Sequence, residues 1–206
     1  MNNLNKLRVQ NKIVDVNDRA GNSFIKNMQG TTKMIYDTLE VVPGQNTYNF
    51  FVDTNTRNFP FTNVKSDSLP VAESIAAQRY YLSVVTITTI VGENPRINLL
   101  SLSEALTAIP GLSALALSEL ALQTANDLVM KPILTANALS PFNINAQNNN
   151  CNVFEFLTDI ILLPQQTFSF PLRTLPLVGA SGDTTKTYLR LVIEGVGSQY
   201  SGKMNF

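Results

Sequence analysis

Thirteen consecutive residues, Arg79–Val91 (RYYLSVVTITTIV), contain neither glycine nor proline and are mostly β-branched or aromatic. A run of this kind fits a pleated strand and little else. Its apolar positions do not alternate cleanly across Tyr81, Val84, Val85, Ile87 and Thr89. That predicts a strand buried on both faces, or one that crosses between sheets through a bulge. Gly92-Glu93-Asn94-Pro95 ends it.

Further strand signals flank this run. Met34–Val42 is rich in strand formers, Pro43-Gly44-Gln45-Asn46 is a turn signal, and Thr47–Asp53 reads as a second strand. Together they predict a hairpin. Phe59 and Phe61, in the polar stretch Thr54–Pro70, are expected to plug one end of a core. Val153–Leu163, Thr167–Leu172 and Thr187–Gly197 bring the chain back to β, the last two with alternating apolar positions. Gly195-Val196-Gly197 opens no helix and so makes no dinucleotide fingerprint.

Residues 97–131 break the pattern. Ser101-Leu102-Ser103-Glu104 resembles a capping box opening a short helix that stops at Pro110-Gly111. Ser113–Met130 favours helix over strand, although Leu115, Leu117, Leu120 and Leu122 also fit alternation. Pro132 would end that helix. Asn137–Asn152 reads as a loop, and without carboxylates its amides do not suggest a cation site.

The first 33 residues carry six cations and two acids, so they are +4 while the remainder is −4. They read as an extended basic arm (1–33) before a β-sandwich domain (34–206) with a helical insertion at about 99–131. The longest uncharged apolar stretch, Ala105–Ser118, is too short to span a bilayer as a helix and lacks the basic face of an in-plane helix.

Composition narrows the chemistry. The chain has no His and one Cys, Cys151, so imidazole catalysis and ordinary zinc sites are not expected from it. Cys151 has no nearby cation in sequence and reads as an unreactive thiol. Lys65 and Ser66 are adjacent, and neighbouring side chains on an extended chain point apart, which argues against a Ser–Lys pair. Asp53, Glu73, Glu155 and Asp159 are the acids from which a hydrolytic pair could be drawn. Glu155 and Asp159, four apart on a strand, would share a face, and both read better as solvated residues. No catalytic, cofactor-binding or metal site is therefore expected, and the chain is not expected to be an enzyme. Fifteen cations balance fifteen acids, an unpromising balance for a protein that must neutralise phosphates. Charged residues are only 15% of the chain, while Asn occurs 23 times. Depletion of charge is what interface cores show.

Thr38–Asp53, Gln78–Thr88, Phe156–Leu177 and Tyr188–Ser201, in this order after a basic arm, resemble jelly-roll capsid and vertex (penton-type) proteins of tailless icosahedral bacteriophages. That resemblance implies a mainly β fold, a single jelly-roll sandwich of eight strands. It implies a structural virion protein that meets copies of itself and other virion proteins, with no small-molecule substrate. It would be made in the host cytoplasm and reside in the capsid, its arm reaching a neighbour, the genome or an internal membrane. The competing expectation is a β-sandwich binding module, such as a spike or a receptor- or glycan-binding protein. Such a module should show a groove with clustered aromatics.

Overall fold

Arg79–Thr88 of the run of strand formers lies within the central strand of a five-stranded antiparallel sheet in a computed structural model, and Thr89–Val91 lie beyond its end. The structure describes residues 28–70, 73–124, 128–134, 153–180 and 184–200. In chain order the elements are β1 (Met28–Glu40), β2 (Thr47–Phe50), β3 (Glu73–Thr88), β4 (Arg96–Ser101), helix α1 (Leu102–Ala108), β5 (Glu119–Thr124), β6 (Leu128–Leu134), β7 (Val153–Leu162), β8 (Phe168–Arg173) and β9 (Thr185–Tyr200). Short 3-10 helices cover Thr54–Thr56 and Pro110–Leu117. One sheet has the order β1-β9-β3, and β3's far edge is shared end to end by β7 and β4. The other has the order β2-β8-β5-β6. The chain is thus mainly β, and its two antiparallel sheets enclose one core.

Leaving β4 aside, the pairs are nested: β1 with β9, β2 with β8, β3 with β7 and β5 with β6. This nesting corrects the hairpin expectation. The turn at Val42–Gln45 forms, with Gln45 N–H donating to the Val42 carbonyl at 3.0 Å and Gly44 at φ 85°. Proline then glycine at its centre suits a type II turn. The turn carries the chain from one sheet to the other, so β1 and β2 each pair with a strand near the C-terminus.

β3 has a bulge, but not where the broken alternation of Tyr81–Thr89 pointed: pairing with β9 is regular from Arg79 to Thr88, and the strand stays in one sheet. Its pairing with β9 shifts by one residue between Ala77 and Arg79, leaving Gln78 extra. Ser74, Ile75, Ala76 and Ala77 before the bulge are all buried. The small residues here let the backbones close up. A Cβ on Gly195 of β9 would stand 2.7 Å from the Ala76 carbonyl carbon and 2.9 Å from the Ala77 Cα.

The core joins Ile35, Leu82, Val84, Leu189, Leu191 and Ile193 of the first sheet to Tyr48, Phe50, Leu120, Leu122, Phe170 and Leu172 of the second. Each such side chain contributes roughly 1.5–3 kcal/mol by leaving water. Phe51, Phe168 and Phe170 form one aromatic group, with ring centroids 5.3–6.4 Å apart. Tyr80, Phe154 and Phe156 form another, at 5.1–5.8 Å. The Tyr80 hydroxyl is buried with no hydrogen-bond partner among the described residues, and burial pushes its pKa above the ordinary phenol value. A buried unpaired hydroxyl costs about 1–3 kcal/mol. Tyr80→Phe is therefore expected to leave stability unchanged or raise it by about 1 kcal/mol in urea unfolding. A clear loss would mean that the hydroxyl has a partner.

The capping box is present: Glu104 N–H donates to the Ser101 hydroxyl, and Ser101 N–H to the Glu104 carboxylate. The helix beyond it is a correction. Ser113–Met130 is not helical throughout: it holds the end of a 3-10 helix, then β5 and the start of β6. Leu120 and Leu122 of β5 are buried in the core between the two sheets, and β8 and β6 pair with the strand on either side. β1 begins at Met28, so Met28–Lys33 of the expected arm belong to the sheet. Residues 1–27, the Asn137–Asn152 loop and Cys151 lie outside the described residues. Among the described residues no helix is long and apolar enough to cross a membrane.

Candidate interaction surface

Residues paired across neighbouring strands share a face, so register shows what the first sheet turns outward. Leu82 and Val84 of β3 and Leu189 and Leu191 of β9 face the core. The residues between them face out. One outward row runs Glu40, Tyr188, Val85, Leu99 across β1, β9, β3 and β4. The next contains Lys186, Ile87 and Ile97. Phe61 lies on Tyr188 with ring centroids 5.4 Å apart. Tyr188, Val85, Ile87, Leu99 and Ile97 thus form an apolar band where the outer face of a sandwich is ordinarily polar. Leu99 and Ile97 are 62% and 65% exposed, and Val91 in the following turn is 98% exposed. Val85 and Tyr188 are covered, so the exposed part of the band is its β4 end, and exposed apolar surface of this kind marks an interaction site.

Further along the same face the chemistry changes. Arg190 donates to the Thr38 hydroxyl and the Pro60 carbonyl, both at 3.0 Å, and lies 5.3 Å over the Tyr36 ring. Beyond it Arg79 pairs with Glu194 at 2.9 Å, and the Tyr81 hydroxyl also donates to Glu194. The face grades from apolar at the β4 end to ion-paired at the β7 end.

Beside the band is a cleft of about 630 Å³ lined by Thr38, Glu40, Asn58, Phe59, Phe61 and Tyr188, among others. The loop that forms its wall is held from beneath by Asp37. This carboxylate is fully buried and accepts from Phe51 N–H at 2.7 Å, from Arg57 Nε at 3.2 Å and from Arg57 Nη2 at 2.8 Å. Arg57 Nη2 also donates to the Val52 carbonyl at 2.7 Å. Phe51 is buried at φ 63°, a backbone region that bulky side chains rarely adopt. Burial pushes the Asp37 carboxyl above its ordinary value, against the pull of the Phe51 amide and Arg57. Asp67 holds the same loop by accepting from the Asp53 and Thr54 amides and the Thr54 hydroxyl. Burial would raise its pKa, but those hydrogen bonds and Arg57 hold it below the ordinary value.

Phe59 and Phe61 therefore do not plug the core. Phe59 is 85% exposed, and Phe61 packs on the outside of the sheet. The four candidate acids are scattered. Asp53 is exposed in the loop, and Glu73 pairs with Lys33. Glu155 of β7 opposes Arg79 of β3. The β3–β7 register slips between Glu155 and Ile160, so alternation does not carry a shared face from Glu155 to Asp159. Of three surface clefts, one is lined by Glu73 and none by another of the four. Lys65 and Ser66 are exposed, and the Ser66 hydroxyl meets Ser68 instead. Among the described residues no three potential metal ligands cluster.

No family model matches the sequence, and no curated protein matches it. One similar solved structure is described as the acidic stable capsid structure of Helicobacter pylori bacteriophage KHP30. The likeness covers 84% of this chain and 99% of that one, at 10% identity and a TM-score of 0.29. At that level the fold rests on the strand pairing itself.

Proposed function

We propose that the chain is a structural virion protein, a capsid or vertex (penton-type) subunit of a bacteriophage shell, and that it catalyses no reaction. The observation that carries this reading is the exposed β4 end of the apolar band on the outer face of the first sheet. A solitary sandwich gains nothing from exposing Leu99 and Ile97 there, whereas a subunit buries them on assembly. The nested strand pairs support a single jelly roll, eight strands wound as two Greek keys, with β4 as an addition. The two sheets act as a rigid wedge, and head-to-tail contacts close copies around an axis. The partners are copies of the chain and other virion proteins, and the protein passes from the host cytoplasm into the particle.

Residues before β1 carry five cations and two acids, and in this reading they reach a neighbouring subunit, the genome or an anionic membrane. Deleting residues 1–27 is expected to weaken assembly in a sedimentation assay while leaving the melting temperature unchanged, because β1 begins at Met28. A truncated protein that assembles as well as the full chain would remove the arm from this account.

The aromatic cleft favours a second reading, a saccharide-binding module in which a sugar ring lies against Phe59, Phe61 and Tyr188. A glycan array separates the two. The structural reading expects no specific signal, and binding lost in Phe59→Ala would favour the module.

A further inference from the structure

Strand edges present unpaired backbone groups, and proteins ordinarily blunt them. Four of the five edge strands described here are blunted. β1 is covered by Thr62 and Asn63: Asn63 N–H donates to the Tyr36 carbonyl, Tyr36 N–H to Asn63 Oδ1 at 2.8 Å, and Asn63 Nδ2 to the Met34 carbonyl at 2.9 Å. β2 has four residues. β6 contains Pro132, and β7 is irregular and carries Glu155 and Asp159. β4 is the exception. It pairs with β3 along one edge, and no described segment pairs with the other. Its sequence, Arg-Ile-Asn-Leu-Leu-Ser, holds no proline and one charge, and Ile97 and Leu99 are exposed.

We propose that β4 pairs antiparallel with β4 of a second copy, about a two-fold axis through Asn98. This rests on the structural reading above and adds to its head-to-tail contacts a separate two-fold contact in which the same strand meets itself. The strand is self-complementary in that register. Ile97 falls opposite the partner's Leu99 and Leu99 opposite the partner's Ile97, so the apolar band runs unbroken from one sheet into the next. Arg96 falls opposite the partner's Leu100, and no like charges oppose each other. The neighbouring charges are already neutralised, Arg96 with Glu93 at 3.2 Å and Lys186 with Glu40 at 3.0 Å. A membrane surface or a nucleic acid would require an excess of cations that this edge lacks. A neutral surface like its own requires none. The chain before Met28 does not fit the edge as readily, since it leaves from the opposite end of the sheet, beside Tyr200 and Glu73.

Register makes the proposal testable by cross-linking of the full chain in a Cys151→Ser background. Residues directly opposite in an antiparallel pair have Cα atoms about 4.5–5.5 Å apart, within disulfide reach. Asn98→Cys should therefore form a disulfide-linked dimer under mild oxidation. Arg96→Cys should not, because its symmetry mate lies about 13 Å away along the strand. Leu99→Lys should weaken dimerisation by about ten-fold or more while the circular dichroism spectrum stays native. If the protein assembles but Asn98→Cys gives no dimer, or Arg96→Cys cross-links equally well, the β4 contact is wrong and the structural reading stands. If the unmodified chain never self-associates, both fall.

Discussion

Arg57→Ala should destabilise the domain by about 3–5 kcal/mol at neutral pH, the range seen when one partner of a buried ion pair is removed. Asp37 would then keep a fully buried carboxylate held by the Phe51 amide without its guanidinium. Against a total stability of about 5–15 kcal/mol that is a large fraction. The effect should depend on pH in a stated direction. Burial already raises the Asp37 pKa in the native chain, and removing Arg57 takes away a lowering influence. Between the ordinary carboxylate value and the raised one, the native state holds a proton that the unfolded state has released, so stability falls as pH rises through that window. The deficit should be smaller near pH 4 than at pH 7 in parallel urea titrations. A loss independent of pH would mean that Arg57 acts through packing alone. The same variant should disturb the cleft, because Phe59 and Phe61 follow directly on the loop that Asp37 and Arg57 pin to β1.

Gly195→Ala should cost about 3 kcal/mol or more, at or beyond the upper end of ordinary overpacking. The added carbon would meet the Ala76 carbonyl group and the Ala77 Cα, which are backbone atoms of the central strand and cannot rotate aside. Relief requires moving β3 away from β9, the pair on which the first sheet is built. Thermal unfolding of this variant beside Gly44→Ala separates two causes. At Gly44 a Cβ meets nothing within 4 Å and the cost is the positive φ alone. A Gly195→Ala protein as stable as the parent would contradict the close approach of the two strands.

Local chemistry was legible wherever it is settled by neighbours in sequence. The Ser101–Glu104 box and the Pro43-Gly44 turn lie within four residues, and both form as read. The bulge in β3 was not legible: it falls at Gln78, before the run whose alternation is broken, and Tyr81–Thr88 pairs regularly because apolar residues on both faces, not a bulge, blur its pattern. Partners distant in sequence were not legible. The same turn that suggested a hairpin joins strands of different sheets, because β1 finds its partner in β9. Leu120 and Leu122 carry good helix formers beside them, yet burial in the core and pairing with β8 and β6 outweigh a propensity worth only tenths of a kcal/mol per residue. β4 escaped notice because six residues give too short a pattern beside a capping signal. Asp37 and Arg57 sit twenty positions apart with no motif to link them. The apolar band was hidden for a related reason. Tyr188, Val85 and Leu99 come from three separate segments and become neighbours only through register.

The central claim is that this surface exists to meet other copies. Native mass spectrometry of the full chain over a range of protein concentrations tests it most directly. The account predicts discrete oligomers whose share rises with concentration and falls in Leu99→Lys. A single monomeric species at every concentration, in the parent and the variant alike, would contradict it.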